Sequence, residues 1–453
     1  MHRKDCLKTT KMFKSNNEEK LESKITPDFV PMLRIVFWNS LGFFFFQFLI
    51  PYVTAQLLEA SGTEMGLTFA SQTIGGLIST PIVGYLTDRM SKKLLVLIGS
   101  FGRAACYILL YVGIILSSLI IFAVGLFVLG FFAGFFWSPL NALISEKSHK
   151  TFRSSAFGKQ GGMLGKGNFV GSIISFAIFG IANFYVPENR IIVYFPLVLF
   201  TISNIYAGIT FHRRVDENLT YDIHMNFTNE IQMESQTNVK DPSFKLTIAF
   251  IIGFLLLLTA FMTSSTNQTI APPFFQVYLI NELNVTNPTL VMIIYFPSQI
   301  ISLLLSPRMG RLADKIKPQI AITIICGFGA LVTWLIVNST SGLMFGIILV
   351  FDVSLAWASS LVLQNVLSRI SKGHRGKIFG VVQWMSFLGA IVGPIVGGLA
   401  WDHIGFQAPF IISIFIELSL IPLYIVGISI LKPYMAEKID MDINKKEDLF
   451  SKA

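Results

Sequence analysis

Apolar residues in this chain come in long blocks separated by short polar stretches. A helix that crosses a bilayer takes about 20 mostly apolar residues. Twelve blocks meet that length: 32–58, 64–86, 94–116, 118–145, 156–184, 191–211, 246–279, 288–309, 318–338, 342–367, 377–401 and 408–431. They are far longer than the roughly ten-residue strands of a membrane barrel, and only helices or closed barrels satisfy the backbone in lipid. The pattern therefore predicts an all-α integral membrane protein with twelve transmembrane helices. A polar stretch at 212–245 divides the blocks six and six. The expected organisation is a tail (1–31), a six-helix bundle (32–211), a linker (212–245), a second six-helix bundle (246–431) and a tail (432–453).

Composition agrees with the block pattern. The 453 residues are 53% hydrophobic and 13% charged, where a soluble domain carries about 25% charged residues. Mean hydropathy is +0.64. The net charge of +9 has a topological cause. If loops are assigned to alternate sides, the 35 Lys and Arg residues are distributed very unevenly. All but four lie on the side of the N-terminus; Arg190 lies opposite, and Arg34, Arg103 and Lys166 fall inside apolar blocks. The positive-inside rule then places both termini and the linker in the cytoplasm of a multi-pass plasma-membrane protein. Basic residues spread over every inner loop do not form the single-faced patch of a nucleic-acid binder. Residues 1–28 lack the apolar core of a cleavable signal, so the first block is expected to direct insertion itself. Cys6, Cys106 and Cys326 share no metal or disulfide spacing, and there is no phosphate-cradling Gly loop. No cofactor, metal or catalytic constellation is expected.

The two halves repeat each other. Pro81-Ile-Val-Gly84-Tyr-Leu-Thr-Asp88-Arg89 returns 226 positions later as Pro307-Arg-Met-Gly310-Arg-Leu-Ala-Asp314-Lys315. Arg153-Ser-Ser-Ala-Phe157-Gly158 pairs with Arg375-Gly-Lys-Ile-Phe379-Gly380, and Gly167 and Gly171 with Gly389 and Gly393, each offset by 222. Agreement in order and spacing across half the chain marks an internal duplication.

Two six-helix halves, a polar inner linker and Gly-x-x-x-Asp-(Arg/Lys) between the second and third helices resemble the major facilitator superfamily of secondary transporters, in particular its twelve-helix efflux members. The resemblance covers about residues 30–431, and that fold is built from parallel repeats. It implies alternating access by a monomer that moves a small-molecule substrate, with protons as the coupling partner and the lipid bilayer as its solvent. It also implies that Asp88 helps to latch the cytoplasmic side through a helix N-terminus, with Arg89, Lys92 and Lys93 either completing that network or serving as topology signals. Asp314 and Lys315 would be the weaker second copy, since Lys317 and Pro318 replace the motif's second Gly and basic residue. Gly84 and Gly310 would permit close helix approach. Glu146 and Arg153 resemble the acidic–basic pair that braces the inner gate, with Arg375 as the twin of Arg153. Gly389-x-x-x-Gly393-Pro394-x-x-Gly397-Gly resembles an antiporter motif, but it stands in the eleventh helix rather than the fifth; it reads equally as a packing seam between the halves.

Intramembrane ionisable groups are costly and point to function by default. Asp352 lies at mid-depth in the tenth block, and the resemblance places helices one, four, seven and ten around the cavity. It is the first candidate for a proton or cationic-substrate site, with a structural ion pair as the alternative. Lys166 and Arg103 are the cationic candidates, Glu417 and Arg34 weaker ones. The seventh block carries Thr263 to Gln268 ahead of Pro272-Pro273, which reads as a kinked, cavity-lining segment; Asn267 and Gln268 sit there, Asn39 and Gln47 mark the first block, and Trp357 is an aromatic candidate. A mixed amide and aromatic lining suits an amphiphilic, drug-like solute, ahead of sugar, organic-acid or peptide uptake or a non-transporting sensor.

Overall fold

A computed structural model describes residues 25–149, 153–221, 248–313, 316–369 and 375–432. Among these the chain is helical throughout, with one isolated antiparallel bridge between Ile25 and Ser148. We number the helices α1 (Phe29–Asn39), α2 (Phe43–Tyr52), α3 (Gly62–Thr87), α4 (Lys92–Ile115), α5 (Leu119–Glu146), α6 (Arg153–Tyr185), α7 (Arg190–Val193), α8 (Pro196–Arg214), α9 (Ile248–Ile270), α10 (Phe275–Asn281), α11 (Pro288–Ala313), α12 (Pro318–Val337), α13 (Gly342–Arg369), α14 (Arg375–His403) and α15 (Ala408–Leu431). Every apolar block falls on a helix or a pair of helices. The chain divides into two compact units, one containing residues up to 238 with 286–292, the other residues 239–285 and 293 onward.

Nine described helices, counting α1–α2 and α9–α10 as single spans, are long and apolar enough to cross a membrane. α3 falls below that measure because it carries Thr68, Ser71, Gln72, Thr73, Ser79 and Thr80. α8 does so because it is short and closes on His212, Arg213 and Arg214. Large apolar side chains such as Ile120, Phe184, Ile248 and Leu343 are exposed. Water would penalise such surfaces; a lipid environment accommodates them.

Two blocks break where the sequence provides a reason. The first divides at Ser40–Gly42, and its second part passes through Pro51 into a π turn at Val53–Leu57. A proline inside a helix removes a donor and crowds the preceding turn. The seventh block breaks at Pro272–Phe274, a single 3-10 turn led by the proline pair. The expected kink is therefore present. Its hydroxyls are bonded: Thr266 donates to Met262 O at 3.0 Å, Thr269 to Ser265 O at 2.9 Å and Ser265 across to Ser386 O at 2.6 Å.

Glycines set the closest helix contacts inside each unit. A Cβ on Gly75 of α3 would meet the backbone of Phe127, and one on Gly130 of α5 would meet the backbone of Gln72. Two backbones in mutual contact leave no room for a side chain on either. In the first unit Gly167 and Gly171 of α6 face the backbones of Phe37 and Leu41; in the second, Gly389, Gly393 and Gly397 of α14 face those of Met262, Thr266 and Ile270. The repeated glycines thus share one task, docking the fifth helix of each half onto its first. This corrects the expected seam between halves: Gly389, Gly393 and Gly397 close a seam within their own unit, with Pro394 buried beside Gly393 in the same helix. Gly84, by contrast, is exposed, and no described atom lies within 4 Å of a Cβ placed there. Among the described residues it makes no close approach within its own unit.

Candidate functional site

The second unit holds a partly open cavity of about 80 Å³ with polar groups set in an apolar lining. Four helices each present a polar face to it, and Phe275 of α10 adds an apolar wall. Positions three, four and seven apart on a helix share a face, and the lining follows that rule: Ser264, Asn267 and Gln268 on α9, Gly329 and Thr333 on α12, Asp352 and Ser359 on α13, Ser413 and Glu417 on α15. Of the polar stretch of the seventh block, Ser264, Asn267 and Gln268 line this cavity, and Pro272 closes α9 beside it.

Two carboxylates line this space, Asp352 and Glu417, and the charge of Asp352 acts on Glu417. Glu417 accepts a hydrogen bond from the Asn267 side chain. The same amide accepts from Ser413 Oγ at 2.8 Å, which fixes its orientation. Gly329 makes room for Glu417: a Cβ there would meet Glu417 Oε1, and Oε2 at 2.9 Å. Among the described residues neither acid has an ion-pair partner. Two like charges confined together repel, and a proton held by the pair relieves that repulsion. The arrangement can take up and release a proton. In the sequence Glu417 is a weaker candidate, because the twelfth helix is peripheral in the resembled fold. The signal that finds it is the four-residue spacing of Ser413 and Glu417, which gives an otherwise apolar helix one polar face.

The other candidates do not join this site. Arg103 of α4 is buried, 1% exposed, in the first unit. It donates to Asn39 Oδ1, to Asn39 O at 3.3 Å and to Tyr107 Oη at 3.0 Å. Its guanidinium also lies 5.1 Å from the Phe43 ring and 5.7 Å from that of Phe136. Asn39 in turn donates to Asn204 Oδ1 at 2.7 Å. Asn39 is the last residue of α1, so its carbonyl is one that the break at Ser40 leaves without an intrahelical partner. Arg103 occupies that carbonyl and places a positive charge at a helix C-terminus. It closes α1, and it does not line the carboxylate cavity. Lys166, Gln47 and Trp357 are exposed, and none lines the cavity.

At the loop between α3 and α4, Asp88 is exposed at the C-terminal end of α3. Arg89 stacks on Tyr85, 4.1 Å from the ring centroid. Glu146 pairs with Lys92 at 3.0 Å. Asp314 and Lys315 lie outside the described residues. Gly310, Arg153 and Arg375 lie on described helices, but their side-chain surroundings lie outside the described residues.

Comparison with known proteins agrees with this architecture. The model of the family described as "Major Facilitator Superfamily" matches residues 33–367 and again 257–439. A multidrug resistance protein MdtG of Escherichia coli O9:H4 (strain HS) is 24% identical over 357 residues, 77% of this chain and 80% of its own. A multi-drug resistance efflux pump PmrA homolog of Lactococcus lactis subsp. lactis is 25% identical over 407 residues, 86% of this chain and 93% of its own. Among solved structures, a bacterial homolog of the human lysosomal transporter Spinster superposes with a TM-score of 0.71 at 11% identity, covering 90% of this chain and 98% of its own. The nucleoside transporter NupG does so with a TM-score of 0.65 at 13% identity, covering 89% and 99%. A match of this extent, over a helical membrane fold built from two units, makes the chain a member of the Major Facilitator Superfamily.

Proposed function

We propose that this transporter exports amphiphilic, drug-like solutes in exchange for protons, and that Asp352 with Glu417 holds the proton. Family membership makes it a multi-pass membrane transporter of a small molecule rather than an enzyme. The finer reading rests on the carboxylate pair in the polar cavity of the second unit. A volume of about 80 Å³ accommodates a few waters, whereas drug-sized ligands fill pockets of roughly 300–1,000 Å³. The cavity therefore suits a proton that drives transport better than the cargo itself. Efflux is favoured because the two relatives above carry multidrug names. In this reading the protein is a plasma-membrane monomer with both termini cytoplasmic, and the loop Asp88–Lys93 is the inner latch. Alternating access carries the solute past the bilayer midplane.

The test uses purified full-length protein in proteoliposomes with an acidic lumen and ethidium as the probe. Protons leaving the lumen should drive ethidium inward several-fold faster than in vesicles whose gradient has been collapsed by nigericin. Equal rates in the two conditions would exclude proton antiport of this class of solute.

A further inference from the structure

The linker between the halves begins with a built contact to the cytoplasmic ends of three helices. The first three backbone amides of α4 need acceptors, since no preceding turn supplies them. Ser91 Oγ accepts from Leu94 N at 3.1 Å. The other two are taken from the linker: Glu217 Oε1 accepts from Lys92 N at 2.6 Å and Oε2 from Lys93 N at 3.4 Å. The Ser91 hydroxyl donates to the same carboxylate. A negative charge thus sits on the positive end of α4, where the helix dipole favours it. The resemblance implies Asp88 as the anion of a helix N-terminus, but at α4 Glu217 occupies that position.

Glu217 is held there by a buried anchor one residue away. Lys147, fully buried at the end of α5, uses all three of its donors. They go to Asp28 Oδ2 at 2.7 Å, Asp216 O at 2.5 Å and Leu219 O at 2.8 Å. Asp28 Oδ2 also accepts from Asp216 N at 3.0 Å, and Oδ1 from Thr26 Oγ1 at 2.7 Å. The anchor ties the segment ahead of α1, the end of α5 and the linker to one point. Lys92, beside the capped amides, pairs with Glu146. The corresponding helix of the second half has no such cap: α12 starts with Pro318, which removes one of those N–H groups, and no side chain caps it.

We infer that Glu217 is a positioning residue for the Asp88–Lys93 loop: the linker, anchored by Lys147 and Asp28, caps α4 and sets the geometry of the loop that latches the cytoplasmic side. The inference rests on the proposed latch role of that loop. Glu217 does not line the carboxylate cavity, so it acts on the conformational step and not on the proton site.

Hydrogen–deuterium exchange of peptides spanning residues 89–95, in nanodiscs, tests the contact. Ethidium flux in proteoliposomes tests its consequence. Glu217→Ala should speed exchange in those peptides by about tenfold, the size of a lost helix cap, and lower ethidium turnover while leaving KM unchanged. Glu217→Gln keeps one acceptor but no charge and should fall between alanine and wild type; it serves also if the alanine variant does not fold. Glu217→Asp should restore most of both readouts. Unchanged exchange in Glu217→Ala overturns the inference, and so does faster exchange with unaltered turnover. If wild-type protein moves no ethidium, the efflux reading falls, and the exchange measurement alone decides whether Glu217 positions the loop.

Discussion

Asp352→Asn is expected to reduce gradient-driven ethidium transport to the rate of protein-free vesicles, while ethidium exchange without a gradient continues. Asn fills nearly the same volume and can still form hydrogen bonds, but it cannot bind or release a proton at any working pH. The substitution leaves Glu417 as the sole acid lining the cavity, held by Asn267. With its partner neutral, Glu417 no longer feels a like charge that changes with the proton's position, and the pair's uptake and release are uncoupled from the transport cycle. A membrane-embedded acid that faces a polar cavity and lacks an ion-pair partner has little structural reason to be charged. If Asp352→Asn accumulates ethidium as wild type does, the proton site lies elsewhere.

The second large effect concerns stability. Lys147→Met should destabilise the first unit by about 3–5 kcal/mol, the range for removing one partner of a buried ion pair. The loss is large because the Asp28 carboxylate loses its counter-charge while the carbonyls of Asp216 and Leu219 lose the ammonium donor at once. Met matches the length of the Lys stem, so lost packing contributes little. The double variant Asp28→Asn, Lys147→Met should recover a substantial part of the loss, because it leaves no uncompensated charge behind. Thermal unfolding of wild type, the two single variants and the double variant in detergent forms a double-mutant cycle. A Lys147→Met variant as stable as wild type would show that this buried pair holds nothing together.

Much of the architecture is legible along the chain, because a membrane span is a one-dimensional property. Twelve apolar blocks, the kink at Pro272-Pro273 and the glycine spacing shared by Gly167, Gly171, Gly389 and Gly393 all have local signatures. Asp352, Asn267 and Gln268 stand out as an acid and two amides where the chain is otherwise apolar. Partnership is not legible in the same way. Glu217 reaches Lys92 across 125 residues and Lys147 reaches Asp28 across 119, with no local pattern to announce either contact. Arg103 resembles a functional charge by the same rule that singles out Asp352, since the rule does not distinguish a cation bonded to the end of α1 from an acid facing a cavity. Glu417 is easily discounted from its helix's expected place in the fold, although its polar face with Ser413 is written in the spacing. The seam glycines announce close approach but not the partner, which is the first helix of the same half.

If a proton held by Asp352 and Glu417 moves in exchange for the solute, proton movement itself is the direct measurement. A pH-sensitive dye is trapped in proteoliposomes of wild type and Asp352→Asn, and ethidium is added outside. Wild type should show alkalinisation of an acidic lumen that begins with ethidium entry and scales with its rate, whereas Asp352→Asn should show none. Ethidium entry through wild-type protein with no change in lumenal pH, or an undiminished pH change through Asp352→Asn, would contradict proton exchange at this pair.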